Sequence, residues 1–467
     1  MFTTVLKFLI IAIEVLLIFN LIIVVHELGH FLAAKWRGLI IEGFGVWFGK
    51  PLWQRKIGGV TYSLGSIPAG GFVKLPQLAN GAIEGELENA PESLPPLKPL
   101  DKIIVAFAGP LFSFLLALGM ATVVWQVGKP TSDIENSTTI GFMEKDGPAD
   151  KAGLKIGDEI LEVDGHKVTK FGGPLNSVTW AIVSSEGEKI AFKVRRGNEV
   201  LTINSGWTKE ATDGWRRKSL RKVLIGPVIK PWIGAIVKKS PAEKAGLKIG
   251  DLVTAANGTP ITTLHELDDI IEKNPTQTLA LGIKRGSETL QLSLTPEARP
   301  NAKSADDIEL GIAWGKIDLA HPSPWSQVVD SVLSIRNMIT ALFSSKSDVK
   351  VQHFSGPVGI MNVYAQMFQS EQGWRMALAF SVFFNVNLAL LNMLPFPVLD
   401  GGHITLALLE VVRRKPVNQR ALEWLQTACV LAVVGFMLYV SFFDVGDLFS
   451  GKKMRATPAP AAQPAPK

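Results

Sequence analysis

The chain of 467 residues is 47% apolar, has a formal net charge of +6 and is only 19% charged, against about 25% in an ordinary soluble protein. That composition excludes a disordered chain and places the excess hydrophobicity in discrete blocks rather than in one large core. A single cysteine, Cys429, excludes an intrachain disulfide framework and any cysteine-based zinc site, leaving histidines and carboxylates as the available metal ligands.

The first apolar block, near 5–25, is long enough to cross the hydrocarbon as a helix of about 20 residues. Glu14 and Asn20 interrupt it and no small-residue cleavage site follows, so it reads as a retained helix rather than a signal peptide. At its end stands His26-Glu27-Leu28-Gly29-His30. The i, i+4 spacing puts two imidazoles on one helical face with a carboxylate beside them, as zinc binding and activation of water require. Ionisable groups at the end of a span are costly unless paired, hydrated or functional. A second block, 103–125, is uncharged for 23 residues and forms the second span.

Within the long segment that follows, PADKAGLKIGDEILEVDG at 148–165 returns as PAEKAGLKIGDLVTAANG at 241–258, identical at 11 of 18 positions. This is a duplicated module. Each copy alternates strand-like stretches with turn signals at Asp164-Gly165 and Asn257-Gly258, and Leu154, Ile156, Ile160 and Val163 are expected in the core. The two segments resemble PDZ domains. That resemblance places a peptide-binding loop at Thr139-Ile140-Gly141-Phe142 and at Trp232-Ile233-Gly234-Ala235, where Ile140, Gly141, Phe142, Ile233, Gly234 and Ala235 line the groove. Such modules bind exposed chain ends by adding them to a sheet edge; the alternative is a pair of rigid spacers. His166 and His265 read as surface residues. Arg216, Arg217, Lys218, Arg221 and Lys222, between the modules, read as a solvated or lipid-facing linker, with no aromatic platform for nucleic acid.

Residues 325–343 have apolar side chains at helical spacing and predict an amphipathic helix at the membrane surface or against a module. The third block, 376–399, carries three asparagines and two prolines, and the fourth lies near 425–443. Lys35, Arg37, Lys50, Arg55, Lys56 and Lys74 follow the first span, and Arg413, Arg414, Lys415 and Arg420 the third, so both loops are expected to face the cytoplasm. Both termini and the duplicated modules then lie on the other side. The Ala/Pro-rich tail 451–467 is expected to be disordered. Zinc needs a third protein ligand, and Asn392-Met393-Leu394-Pro395-Phe396-Pro397-Val398-Leu399-Asp400-Gly401-Gly402-His403 supplies Asp400, with His403 as a competing ligand or as a group orienting the carboxylate.

In this order of motifs the chain resembles the site-2 protease family, in the bacterial regulator of sigma-E protease form with tandem PDZ domains. The resemblance implies one zinc ion on His26, His30 and Asp400, Glu27 as the catalytic carboxylate, and Asn387 and Asn392 holding an unwound substrate. It also implies a re-entrant β-loop, which the glycine-rich stretch 57–76 suits, with an edge free to pair with a substrate strand; an amphipathic loop lying on lipid is the alternative. Gly109-Pro110 would kink the second span toward the active site.

The expected fold is a multi-span α-helical membrane protein with four core transmembrane helices, a membrane-associated β-loop and two inserted mostly-β PDZ-like domains. Its parts are a membrane domain at 1–127, modules at 138–208 and 228–298, a connector with the amphipathic helix at 320–373, and a second membrane domain at 374–450. The expected function is zinc-dependent cleavage of single-span membrane proteins in the bacterial inner membrane after extracytoplasmic trimming. Transmembrane substrates, lipid and peptide or unfolded chain ends are its partners, and nucleic acid is not. The rival readings are a PDZ-based adaptor or chaperone with a structural metal site, and a transporter.

Overall fold

The computed structural model describes residues 2–78, 97–212, 216–237, 239–273, 277–298, 308–316, 318–370, 372–414 and 418–449, so the 451–467 tail lies outside it. Helix α1 (Phe2–Arg37) closes at Gly38, whose φ of 73° only glycine adopts freely. Strands β1 (Gly43–Ile57) and β2 (Val60–Lys74) follow, then α2 (Pro99–Val127) and β3 (Lys129–Thr131). After the single turn α3 (Asp133–Asn136) comes the first module, with β4 (Ile140–Met143), α4 (Pro148–Ala152), β5 (Glu159–Val163), β6 (His166–Lys167), α5 (Val178–Ser184), β7 (Ile190–Arg196), β8 (Glu199–Ser205) and β9 (Ile225–Pro227). The second repeats it with β10 (Ile233–Ile236), α6 (Pro241–Lys244), β11 (Leu252–Ala256), β12 (Thr259–Pro260), α7 (Leu264–Lys273), β13 (Leu279–Arg285), β14 (Glu288–Leu294), β15 (Glu297–Ala298), β16 (Ile308–Glu309) and β17 (Ile312–Trp314). The chain ends with β18 (Asp318–Ala320), α8 (Pro324–Phe343), α9 (Pro357–Met367), α10 (Gly373–Asn392), α11 (Asp400–Arg413) and α12 (Gln419–Phe449).

Four of these helices, within α1, α2, α10 and α12, are long and apolar enough to cross a membrane. Central α2 packs on α1 through Ala33, Ala34, Val105 and Ala108, and on α10 through Met120, Ala121, Val124 and Val382. The outward side chains of α1, such as Leu9, Ile13 and Leu17, are exposed, as a helix in lipid requires.

Strands β1 and β2 fold back on themselves. Gly43–Val46 pairs with 61–64 on one side and with 71–74 on the other, while 53–57 pairs with 60–64. Four short runs therefore lie in the order 71–74, 43–46, 61–64, 53–57. The sheet begins at Gly43, ahead of the 57–76 stretch the sequence marks, because Gly43, Gly45 and the aromatics between them join it from the preceding run.

In each module a four-stranded sheet, β6-β5-β7-β8 or β12-β11-β13-β14, packs beside a strand pair, β4-β9 or β10-β17. Both expected turns occur: Asp164 and Gly165 have φ 49° and 76°, and Asn257 and Gly258 have 50° and 78°, the left-handed pair of a tight hairpin. Leu154, Ile160 and Val163 are buried, but Ile156 is exposed in the turn ahead of β5, as is its counterpart Ile249. The pairing strands β9 and β17 lie beyond the expected limits at 208 and 298. Each is cut off from its module by a connector that no local pattern bridges.

The duplication extends to a buried staple. Arg196 grips Asp158 through two hydrogen bonds of 2.7 and 2.8 Å and donates to the Gly153 carbonyl; Arg285 does the same to Asp251 at 2.7 Å and to Gly246. Burial alone pushes the Asp251 carboxyl up, but Arg285 and the Lys248 N–H outweigh it and hold it below the usual carboxylate range.

The expectation of a solvated or lipid-facing basic linker is corrected at two of its residues. Arg217 and Arg221 are held by aspartates of distant segments, whereas Lys218 is exposed. Arg221 is 4% exposed, pairs with Asp348 at 2.9 Å and lies over Trp207. Arg217 bonds Asp444 and Asp447 near the end of α12 and the carbonyls of Gln352 and Phe354. Asp444, itself fully buried, also accepts the N–H groups of Gly356 and Gly359 at the start of α9. Helix α8 forms over the expected amphipathic stretch, and one face of it packs against membrane-crossing helices: Val328 meets Ala117 and Val386, and Gln327 donates to the Ala121 carbonyl at 2.9 Å, while Trp325, Val332 and Phe343 stay exposed.

Losing the buried carboxylate frees Arg285 and leaves the Lys248 N–H without its acceptor, so Asp251→Ala is expected to destabilise the second module, read as faster hydrogen exchange in β11 and β13 of the intact protein. In the wild type the depressed pKa means this contribution is full above about pH 4 and is lost as pH falls through the folded value. Exchange in those strands should accelerate in acid, and should do so less in Asp251→Ala.

Candidate metal centre

Helices α1 and α2 meet where the histidine motif ends. A Cβ on Gly29 would fall 2.4 Å from the Ala108 carbonyl oxygen, and one on Gly109 would fall 2.2 Å from His30 Nε2 and 2.9 Å from His26 Cε1. No side chain fits at either position. The two imidazoles occupy the hollow that Gly109 leaves in α2. Two hydrogen bonds from α2 then fix the rings: His26 Nδ1 lies 3.0 Å from Ser113 Oγ, and His30 Nδ1 donates to the Val105 carbonyl at 2.8 Å. Both Nε2 atoms face away from these partners.

The third donor arrives from a break in the membrane helices. Pro395 and Pro397 stop α10 from continuing past Asn392. The chain reverses and α11 begins at Asp400. Gly401 and Gly402 permit the reversal, since a Cβ on either would fall 2.2 and 2.0 Å from the carbonyl oxygens of Met393 and Phe396. Asp400 Oδ2 lies 3.3 Å from His26 Nε2, Asp400 Oδ1 3.3 Å from His30 Nε2, and the two Nε2 atoms 3.2 Å apart. Among the described residues this is the one group of three or more His, Cys, Asp or Glu side chains with metal-ligand proximity. A tetrahedral ion with bonds of about 2.0–2.1 Å has edges of about 3.3 Å, so the two imidazole nitrogens are spaced as one edge of such a site, and the carboxylate presents one oxygen to each of them.

Asn392 reaches the rim, its Nδ2 at 3.5 Å from His26 Nε2. Glu27 faces the β-sheet, where a Cβ on Gly71 would meet its Cγ at 3.2 Å. His403 sits one turn along α11 and is not part of the donor group, and among the described residues its ring makes no hydrogen bond to Asp400. Asn387 is half-buried on α10. In the modules Ile140 and Ile233 are core residues, with 0% and 1% exposure. Gly141 packs against the Val228 backbone and Gly234 against Gly315. Phe142 stacks edge-on against His265 of the second module, ring centroids 4.7 Å apart, so His265 is an inter-module contact and not simply a surface residue. Sequence reasoning missed Ser113 and the Val105 carbonyl; the available signal was a serine four residues beyond Gly109, hence on the same face of an apolar helix.

Paired histidine and carboxylate donors at tetrahedral spacing, set among helices that cross a membrane, define a membrane-embedded zinc metalloprotease. The family model described as Peptidase family M50 matches residues 14–436, and the chain belongs to that family. A Neisseria meningitidis serogroup A protein named as a zinc metalloprotease is 30% identical over 449 residues, covering 91% of this chain and 97% of its own. The Regulator of sigma-E protease RseP of Escherichia coli K12 is 27% identical over 456 residues, covering 91% and 96%. Among solved structures, the HtrA3 PDZ domain with a phage-derived ligand aligns with 14% of this chain and 62% of its own at 27% identity and a TM-score of 0.13.

Loss of a group that orients a ligand imidazole typically lowers metal affinity at least about tenfold. Ser113→Ala is therefore expected to lose zinc to a competing chelator at about one tenth of the concentration the wild type needs, with zinc per chain measured after dialysis. Gly109→Ala should retain no stoichiometric zinc.

Proposed function

We propose that the protein is an inner-membrane endopeptidase that cleaves single-span membrane proteins within the bilayer, in regulated intramembrane proteolysis. Anti-sigma factors and remnant signal peptides are its substrate classes. The observation that carries this reading is the donor group of His26, His30 and Asp400, with Nε2 atoms 3.2 Å apart and each 3.3 Å from one Asp400 oxygen, held among membrane helices and bordered by a free strand edge. These residues hold one zinc ion. When bound, zinc polarises the scissile carbonyl and makes a water molecule acidic enough to attack near neutral pH.

Glu27 takes the proton of the attacking water and delivers it to the departing amine. Asn392, at the rim, holds the substrate carbonyl or the charge that develops on its oxygen, and Asn387 holds the neighbouring backbone. A helix unwound in hydrocarbon exposes N–H and C=O groups that need partners. The run 71–74 supplies them. Lys74 gives its carbonyl to the Glu42 N–H within the sheet, so strand alternation turns the N–H and C=O of Val73 to the opposite edge, which no strand occupies among the described residues.

The basic loops after α1 and α11 face the cytoplasm, and the modules and both termini lie outside it. Phe142, on the strand read as the first module's groove strand, is already in contact with His265 of the second module. That favours a sieve that rejects bulky extracytoplasmic domains over a pair of open peptide receptors. Strands β3 and β18 pair, so both ends of the module segment meet at the outer end of α2.

Glu27→Gln is expected to lower cleavage of a reconstituted single-span substrate by about 10³-fold while keeping zinc; cleavage at the wild-type rate would sink the mechanism. Replacing residues 132–317 with a short Gly/Ser linker should let substrates with folded extracytoplasmic domains be cut without prior trimming. Continued resistance of those substrates on gels would remove the sieve.

A further inference from the structure

One polar contact inside the membrane region serves neither the metal site nor the modules. Asn20 lies within the apolar run of α1, where an amide needs internal partners. It has both: its Nδ2 donates to the Leu16 carbonyl at 2.7 Å, and its Oδ1 accepts from the indole N–H of Trp47. Trp47 has a φ of 69° and is the one non-glycine residue of β1 and β2 in the left-handed region. Glycine would adopt that backbone freely, whereas a bulky side chain there is strained. The strain persists because the surroundings over-determine it.

The sheet register shows what the strain achieves. Val46 pairs with Gly71 and Leu64, and Phe48 with Ile67, but Trp47 pairs with nothing. It stands at a break in register, where two steps along β1 face four along β2, and such an irregularity re-aims a side chain out of the pleat. The indole is thereby turned onto α1. Asn20, Ile23 and Glu27 are spaced three and four apart and share one face of that helix. Gly71 rests on the same face: a Cβ there would lie 3.1 Å from Ile23 Cγ2 and 3.2 Å from Glu27 Cγ. One end of this stripe binds Trp47 and the other touches the residue paired with Trp47's neighbour. Apolar packing between sheet and helix is non-directional and lets the sheet slide along α1; the single directional bond does not.

We propose that Asn20 and Trp47 form a positioning clamp that sets how far along α1 the outer edge of β2 lies, and so which peptide bond of an added substrate strand meets Glu27. The proposal rests on the reading of run 71–74 as the substrate-pairing edge. Neither residue touches substrate. A sheet that slides still accepts a strand but presents it out of register.

The test uses the full-length enzyme in proteoliposomes with a single-span peptide substrate, steady-state kinetics and mass spectrometry of the products. Trp47→Phe keeps the ring and removes the N–H; Asn20→Leu removes the acceptor. Each is expected to lower kcat at the principal bond about tenfold, with KM changed less than about twofold, and to yield new products cut at neighbouring bonds. The double variant should be no worse than either single one, because one interaction is lost. Zinc per chain should be unchanged.

A wild-type product pattern in both single variants would overturn the clamp. So would additive losses in the double variant, or a fall in kcat matched by lost zinc. Val73→Pro separates the clamp from the edge on which it rests. If that variant binds and cleaves as wild type, the pairing edge is wrong and the clamp falls with it; if it raises KM while the clamp variants behave as wild type, the clamp alone is wrong.

Discussion

The structure depends on how closely α1 and α2 approach at Gly29, Ala108 and Gly109. There is no hydrophobic drive between helices in lipid, so their association rests on close packing and on hydrogen bonds that cross the interface. Removing two Cβ atoms supplies the first, and it also opens the hollow that the imidazoles of His26 and His30 enter. The second follows at once, because the rings then reach Ser113 and the Val105 carbonyl. One packing decision therefore fixes helix spacing, ring orientation and the direction of both Nε2 lone pairs. Asp400 completes the arrangement only because Gly401 and Gly402 let its helix start hard against the broken end of α10.

Much of this was legible in the sequence for a simple reason: it has a period or a local signature. The i, i+4 histidines, the apolar runs, the turn dipeptides and the repeated eighteen residues each announce themselves within one or two turns of chain. What escaped lacks such a signature. Ser113 matters to His26 across 87 residues, and Arg217 meets Asp444 across 227. A run of basic residues looks the same whether water or buried aspartates receive it, so the cluster between the modules read as solvated when two of its arginines are structural pins. Strands β9 and β17 were missed because three-residue strands have no measurable alternation and pair with partners more than 70 residues away.

The two soluble modules and the membrane core solve the same problem of a charge in a poor solvent by the same means. Asp158 and Asp251 each receive a guanidinium fork and a backbone N–H. Asp444, near the end of a membrane-crossing helix, receives a guanidinium and two glycine N–H groups. In every case the guanidinium comes from a segment more than 30 residues away. Such groups contribute less to net stability than to a unique arrangement, since only one packing satisfies all of them.

The order of the parts along the chain carries a consequence for synthesis. Helices α1 and α2, the β-sheet, and the hydrogen bonds of the histidine rings to Ser113 and the Val105 carbonyl can all form before either module has been made. The remaining donor, Asp400, comes after both modules and three further helices. A nascent chain therefore anchors and shapes its histidines long before it holds a complete set of ligands, and fragments released by premature termination carry an unfinished site. The metal centre is therefore completed by a segment made long after the one that holds its histidines.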